Sequence, residues 1–148
     1  MNDVVAGQTP SFPVFSEADW QTLTARSRPV ECQAGGILFA EGDVSDGLYL
    51  LLNGQFAVQK KGELPGKVQT VALLSGGSVA GEGSLAGIAH RRTSLVCLQA
   101  GSALFLSMSD HARLCQENPR LSLALAHYLL RISSLRLGCC SDRLAVLL

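Results

Sequence analysis

The chain has 148 residues, 47% of them hydrophobic, which is enough for one compact core and short for two ordinary domains. Only 16% are charged, and twelve Lys plus Arg cancel twelve Asp plus Glu, so no global positive field draws the chain onto nucleic acid. Mean hydropathy is high at +0.26, yet no stretch approaches the ~20 consecutive apolar residues that a membrane-spanning helix needs. The apolar excess is therefore expected in a core or an interface, and fifteen glycines with 5% aromatics fit short strands better than a helix bundle.

The first residues, MNDVVAGQTP, contain Asp3 and lack the basic stretch and apolar block of a secretory leader. Residues 1–14 are expected to be a flexible start to a cytoplasmic protein. Ser16 followed by Glu17, Ala18, Asp19, Trp20, Leu23 and Ala25 predicts a helix within residues 15–27, with Ser16 as N-cap, an acidic first turn, and Phe15 stapled onto Trp20.

Residues 28–107 read as a β barrel. Short apolar runs occur at Ile37–Phe39, Leu48–Leu52, Phe56–Val58, Val68–Leu74, Leu95–Leu98 and Ala103–Leu106. Between them, Gly42-Asp43, Asp46-Gly47, Asn53-Gly54, Pro65-Gly66 and Gly76-Gly77 supply the conformations that hairpins require. Runs at this spacing predict an antiparallel sandwich or barrel.

Residues 108–148 read as closing helices. A short one containing Ala112, Leu114 and Cys115 ends at Asn118-Pro119. A second runs from about Arg120 to Leu137 and is expected to stop at Gly138. Its Leu121, Leu125, Tyr128, Ile132 and Leu135 follow three- and four-residue steps, and Leu123, Leu129 and Leu130 widen that stripe. A helix apolar over so much of its circumference is sandwiched in the core or pairs with a second copy.

The five cysteines are odd in number and match no paired zinc spacing. Cys32, Cys97 and Cys115 read as small buried apolar residues, and vicinal Cys139-Cys140 as a packing pair. His90, His111 and His127 fall in a loop and two helices without His-x-His pairing. With no Ser-His-Asp order, paired-carboxylate site or Walker-type loop, the chain is expected to be neither an enzyme nor a holder of a metal or cofactor.

The informative segment is Gly81-Glu82-Gly83-Ser84-Leu85, followed by a turn through His90 and then Arg91-Arg92-Thr93-Ser94-Leu95-Val96. Gly81 and Gly83 let the backbone approach a ligand. Ser84 is expected to cap a single turn over Leu85-Ala86-Gly87, whose free N–H groups attract an anion. A following arginine offers a planar fork for two phosphate oxygens, and Glu82 can accept from a sugar hydroxyl. One phosphate ligand beside one sugar-hydroxyl acceptor describes a nucleotide monophosphate site; a surface turn with a Glu–Arg ion pair is the alternative on residue types alone.

Gly81 through Leu85, six further residues, then Arg92 through Val96 resemble the phosphate-binding cassette of cyclic nucleotide-binding domains, the family of the catabolite activator protein and of kinase and channel modules. Phe39-Ala40-Glu41-Gly42-Asp43, then Asp46-Gly47-Leu48-Tyr49-Leu50-Leu51 and Gly54, is similar to that family's first signature. The resemblance runs from about Phe15 to Leu137. It implies an α+β, mainly β single domain: an antiparallel jelly-roll-like barrel with a short N-terminal helix, two C-terminal helices and a cassette at about 79–96.

The resemblance also implies a ligand, cAMP or cGMP. Glu82 would bond the ribose 2′-hydroxyl and Arg92, with Arg91 as its rival, the cyclic phosphate. Backbone N–H groups near Leu85 and the Thr93 hydroxyl would complete the phosphate shell. Ser133, Ser134 and Arg136 fall nearest the position from which a helix covers the base, and Arg136 is taken as the binding residue among them. Ala80, Gly83, Ser94 and Ser45 depart from the family pattern and make the pocket wall smaller, which keeps open a ligand-free relative serving as a dimerisation or protein-interaction module. Gly138 to Leu148 leave no space for a helix-turn-helix. The expectation is a stand-alone sensor that signals through its C-terminal helix to a second copy or an effector protein, with no nucleic-acid or membrane partner.

Overall fold

The structure of the chain, a computed structural model, describes Phe12 and residues 14–147. The expected flexible start therefore lies, apart from Phe12 and Val14, outside the described residues. Helix α1 spans Glu17–Arg26, and Ser16 caps it by accepting from the Asp19 N–H at 3.1 Å. The staple differs from the expected one. Trp20 stacks on Phe12, with ring centroids 5.1 Å apart, whereas Phe15 turns toward Tyr128 at 5.9 Å, drawn there by the apolar core between sheet and helices.

Six strands follow: β1 Arg28–Cys32, β2 Ile37–Phe39, β3 Gly47–Lys61, β4 Val68–Ser75, β5 Val79–Ala80 and β6 Ser94–Ser107. All pairings are antiparallel, in the order β1-β6-β3-β4, with β2 also on β6 and β5 also on β3. The sheet is not closed, so the expected jelly-roll topology is present as an open sheet. Alternation along β3 divides its burial between two faces. Leu48 and Leu50 join Leu23, Leu104, Leu106, Leu114, Leu121, Leu125 and Tyr128 in the core against the helices. Tyr49 and Leu51 join Phe56, Leu74, Leu95, Cys97, Ala103 and Phe105 in a second core.

One expected turn is not a turn. Asn53-Gly54 lies inside β3, where Gly54 takes φ 95° at a register shift, and a Cβ there would press on the Gly101 Cα of β6 at 2.8 Å. A glycine-permitted bulge thus carries one long strand through a sequence that reads as a hairpin. The runs at Leu95–Leu98 and Ala103–Leu106 likewise join into β6.

Helix α2, Met108–Glu117, is capped by Ser107, and α3 runs over Pro119–Leu147 with Asn118 Oδ1 accepting from the Leu121 N–H at 3.1 Å. Gly138 does not end α3. Gly at C′ stops a helix when the chain must turn, but here Cys139 to Leu147 hold no breaker and include Arg143, Leu144 and Ala145, which offset the roughly 1 kcal/mol helix cost of one glycine. Cys97 is buried and Cys32 and Cys115 half-buried. Burial pushes the Cys32 thiol up to about 11.

Ion pairs from Asp19 to Arg120 and from Arg26 to Glu117 fasten α1 to the C-terminal helices. The Arg120 hydrogen bond holds the Asp19 carboxyl below its ordinary value. A depressed carboxylate pKa gives stability that is complete above the unfolded value near 3.8 and lost as pH falls through the folded one. Asp19→Asn is expected to lower the Tm by a few degrees at pH 7, with the gap to wild type closing below about pH 3.8 in thermal melts.

Candidate functional site

The cassette opens where β5 ends. Gly81 sits in the left-handed region at φ 78°, and a 3-10 turn covers Glu82–Ala86, closed by Gly87 at φ 79°. Ser84 does not cap this turn, contrary to expectation. It lies inside it, buried, and its hydroxyl donates back to the Gly81 carbonyl at 2.8 Å, because the turn begins three residues earlier than the sequence indicates. Gly83 packs its open side against Ile88, and Leu85 packs against the helix-facing core.

Two cavities meet at the cassette. The smaller, about 140 Å³, is bounded by Gly81, Glu82, Gly83, Ile88, Arg91, Arg92 and Thr93, with Ser45, His90 and Phe39 around its rim. The larger, about 460 Å³, lies between β4 and the C-terminal half of α3. Phe39, Val58, Val71, Leu73, Leu74, Ala80 and Leu135 make it mainly apolar, and Glu82, Thr93, Arg136 and Arg143 supply its polar groups. Phe39, Gly81, Glu82 and Thr93 belong to both. A polar chamber joined to an apolar one, with few directed polar groups, is the usual form of a small-molecule site.

Arg136 crosses from α3 to this junction. It donates to Glu82 Oε1 at 2.9 Å, to Ser78 Oγ at 2.9 Å and to the Val79 carbonyl. Arg143, two turns on, donates to the Val71 carbonyl of β4 at 3.1 Å. The two adjacent arginines of the cassette separate. The Arg91 side chain is 3% exposed and bonded to Asp46 and to backbone carbonyls. Arg92 is exposed at the small cavity, and its carbonyl accepts from Lys60 Nζ at 3.1 Å.

The residues expected to bind are thus brought together as Gly81, Glu82, Gly83, Arg92, Thr93 and Arg136, with Ser84 and Leu85 turned into the fold. Ser133 faces a different cavity, between the cassette and α3, and Ser134 is solvent-exposed. Cys139 and Cys140 are exposed and line the large cavity, so they are not the expected packing pair. They and Arg143 were legible as one face with Arg136, at three- and four-residue steps, but only for a helix that continues past Gly138.

Residues 29–118 match the family described as Cyclic nucleotide-binding domain. The chain belongs to that family. A cyclic nucleotide-binding domain from Methylobacillus flagellatus is 27% identical, with a TM-score of 0.81 over 90% of this chain and 75% of that one. The catabolite activator protein of Thermus thermophilus is 26% identical, with a TM-score of 0.76 over 94% of this chain and 63% of that one. The c-di-GMP-responsive regulator of Xanthomonas campestris shares the fold at 18% identity and a TM-score of 0.73, over 88% of this chain and 65% of that one. Comparison with curated proteins gave no match. Proteins of this family are typically regulatory modules without catalysis. Among the described residues no helix is long and apolar enough to cross a membrane, and no cluster of three His, Cys, Asp or Glu could hold a metal ion.

The exposure of the cysteines is directly measurable. Cys139 should react with a thiol reagent in native buffer at a rate near that of a free thiol, whereas Cys97 should react only on unfolding. Mass-spectrometric mapping of labelled sites at short times would show it, and labelling of Cys97 at the same early rate would contradict the packing described.

Proposed function

We propose that this cyclic nucleotide-binding domain is a regulatory sensor for a cyclic nucleotide monophosphate, cAMP or cGMP, and that α3 transmits occupancy. The observation that carries the reading is the joined pair of cavities at Glu82 and Thr93. In it, the phosphate occupies the small polar chamber with Arg92, Thr93 and the cassette backbone, Glu82 accepts from the ribose hydroxyl, and the base enters the apolar chamber beneath Arg136 and Leu135.

Charge supports a monoanionic ligand. Glu82 is balanced by Arg136 at 2.9 Å and Arg91 by Asp46 at 3.1 Å, while Arg92 has no carboxylate partner among the described residues. One unbalanced cation at the small cavity matches the single charge of a cyclic phosphodiester there, while Arg143, at the large cavity, is bonded only to the Val71 carbonyl. Calorimetric titration of nucleotide-stripped protein is expected to show one site per chain for cAMP or cGMP. Arg92→Ala should weaken Kd by roughly one to two orders of magnitude, the value of a charge-assisted hydrogen-bonded pair. Absence of heat with cAMP, cGMP and cyclic dinucleotides alike would reject the sensor and leave a protein-interaction module.

The partner of α3, in this reading, is a second copy of the chain. Leu123, Leu130, Leu137 and Leu144 recur every seven residues and are 57%, 63%, 69% and 58% exposed. Ala126, Ser133, Cys140 and Leu147 form the companion row three residues on. A seven-residue apolar repeat with a second row at that offset is the seam of a two-stranded coiled coil, and in a parallel pair it sets Cys140 opposite Cys140. Mild oxidation should therefore give a covalent dimer that Cys140→Ser abolishes and Cys139→Ser retains. A sedimentation profile that stays monomeric at all concentrations would refute the dimer.

A further inference from the structure

Arg92 and Thr93 lie just outside the sheet that presents them. Near its start β6 is flanked on both edges, with Leu95 opposite Phe39 of β2 and Val58 of β3, but the paired register ends at Ser94 opposite Gln59. The ladder therefore stops short of the two residues assigned to the phosphate. Glu41 stands at that gap. It follows β2, and its carboxylate reaches across to β3, where Oε2 accepts from the Lys61 N–H at 3.0 Å and Oε1 from Lys60 Nζ at 3.4 Å. The Glu41 N–H donates to Ser94 Oγ at 2.8 Å, and Lys60 Nζ donates to the Arg92 carbonyl at 3.1 Å. The Lys61 hydrogen bond holds the Glu41 carboxyl below its ordinary value, so the group is a carboxylate at neutral pH. Ser94, which departs from the family pattern, lines neither of the two joined cavities; its hydroxyl is engaged by Glu41.

We infer that Glu41 is a positioning residue for the phosphate-binding end of the cassette: with Ser94 and Lys60 as anchors, it straps the Arg92–Ser94 segment between β2 and β3 where the ladder has stopped. The inference rests on the nucleotide reading for its effect on binding, while the strap itself acts in the unliganded chain. A guanidinium meets a phosphate as a fork only if the main chain beneath it is already fixed, because a loose segment must be ordered when the ligand arrives and that cost is subtracted from affinity. The contacts of the strap are unequal. The Lys61 N–H bond is charge-assisted and the Glu41 side chain is only 22% exposed, whereas the Lys60 side chain is 54% exposed and its ion pair 3.4 Å long, the kind of surface pair that contributes little. The decisive contacts are thus Ser94 to Glu41 and Glu41 to Lys61. Ser94 acts from outside the pocket, by supplying an acceptor that alanine lacks, and not as part of the pocket wall.

The test compares wild type with Glu41→Ala, Glu41→Gln and Ser94→Ala by amide hydrogen exchange without ligand and by cAMP and cGMP titration. Glu41→Ala should speed exchange at Lys61 and across Arg92–Ser94 by roughly tenfold, the loss of a charge-assisted hydrogen bond, with β1 and α2 unchanged, and should weaken Kd by a similar factor. Glu41→Gln keeps an amide oxygen within reach of the Lys61 N–H and should recover most of both losses. Ser94→Ala should speed exchange at Glu41 and weaken Kd by roughly threefold, the value of a neutral hydrogen bond. A wild-type Kd in Glu41→Ala, unchanged exchange at Arg92–Ser94, or acceleration spread evenly over the core as for a general loss of stability, would each overturn the inference. If wild-type protein binds neither nucleotide, the sensor reading fails and the exchange pattern alone decides whether Glu41 holds the segment.

Discussion

Arg136 bonds Glu82, Ser78 and the Val79 carbonyl at once, so one guanidinium joins the last strand before the cassette, the cassette's only carboxylate and the helix that covers the cavity. Most other features of the site depend on that connection. Without it, the C-terminal half of α3 would touch the sheet only through Arg143 and a few apolar contacts at Leu135 and Cys139, and the large cavity would have no roof. The same connection makes occupancy and helix position interdependent. A ligand hydroxyl that bonds Glu82 competes with Arg136 or shares the carboxylate with it, and either outcome alters the docking of α3. A ligand shifts a conformational equilibrium only by its differential affinity for the two states, and Glu82 is where such a difference can arise.

The scaffold around this junction is stiff where the site needs stiffness. Residues 47–51 of β3 are buried on both faces, pair with β6 and β5, and hold the start of the cassette through β5. Tyr128 donates to the Gly77 carbonyl just upstream, so α3 is fastened to the sheet before it reaches the cavity. The helix therefore divides at about Ile132. Its first half belongs to the core through Leu121, Leu125, Tyr128 and Leu129, and its second half is held chiefly by the hydrogen bonds of Arg136 and Arg143 over an apolar cavity. That division suits a sensor, because elements with few buried contacts have the lowest cost of local rearrangement.

Much of this was legible in the sequence, for definite reasons. The fold class followed from strand-length apolar runs between glycine turns, and the cassette from a spacing that Gly81, Glu82 and Arg92 make specific. The errors share a form: the signal of one or two residues overridden by their surroundings. Asn53-Gly54 has hairpin composition, yet the close passage of Gly101 makes it a bulge inside one strand. Gly138 has stop-signal chemistry, yet the chain beyond it has no reason to leave the helix, and that misplaced end hid Cys139, Cys140 and Arg143 from the site. Arg91 and Arg92 could be told apart as rivals but not by role, because burial is decided by segments 44 residues apart in the chain.

The central claim is that binding at the cassette is felt in α3. Hydrogen exchange followed with and without saturating cyclic nucleotide tests it most directly, because every amide from the cassette to the helix end is read in one experiment. The account predicts slowed exchange at Gly81–Thr93 together with a change at Leu135–Arg143. A ligand effect confined to the cassette, with α3 exchanging identically in both states, would contradict it.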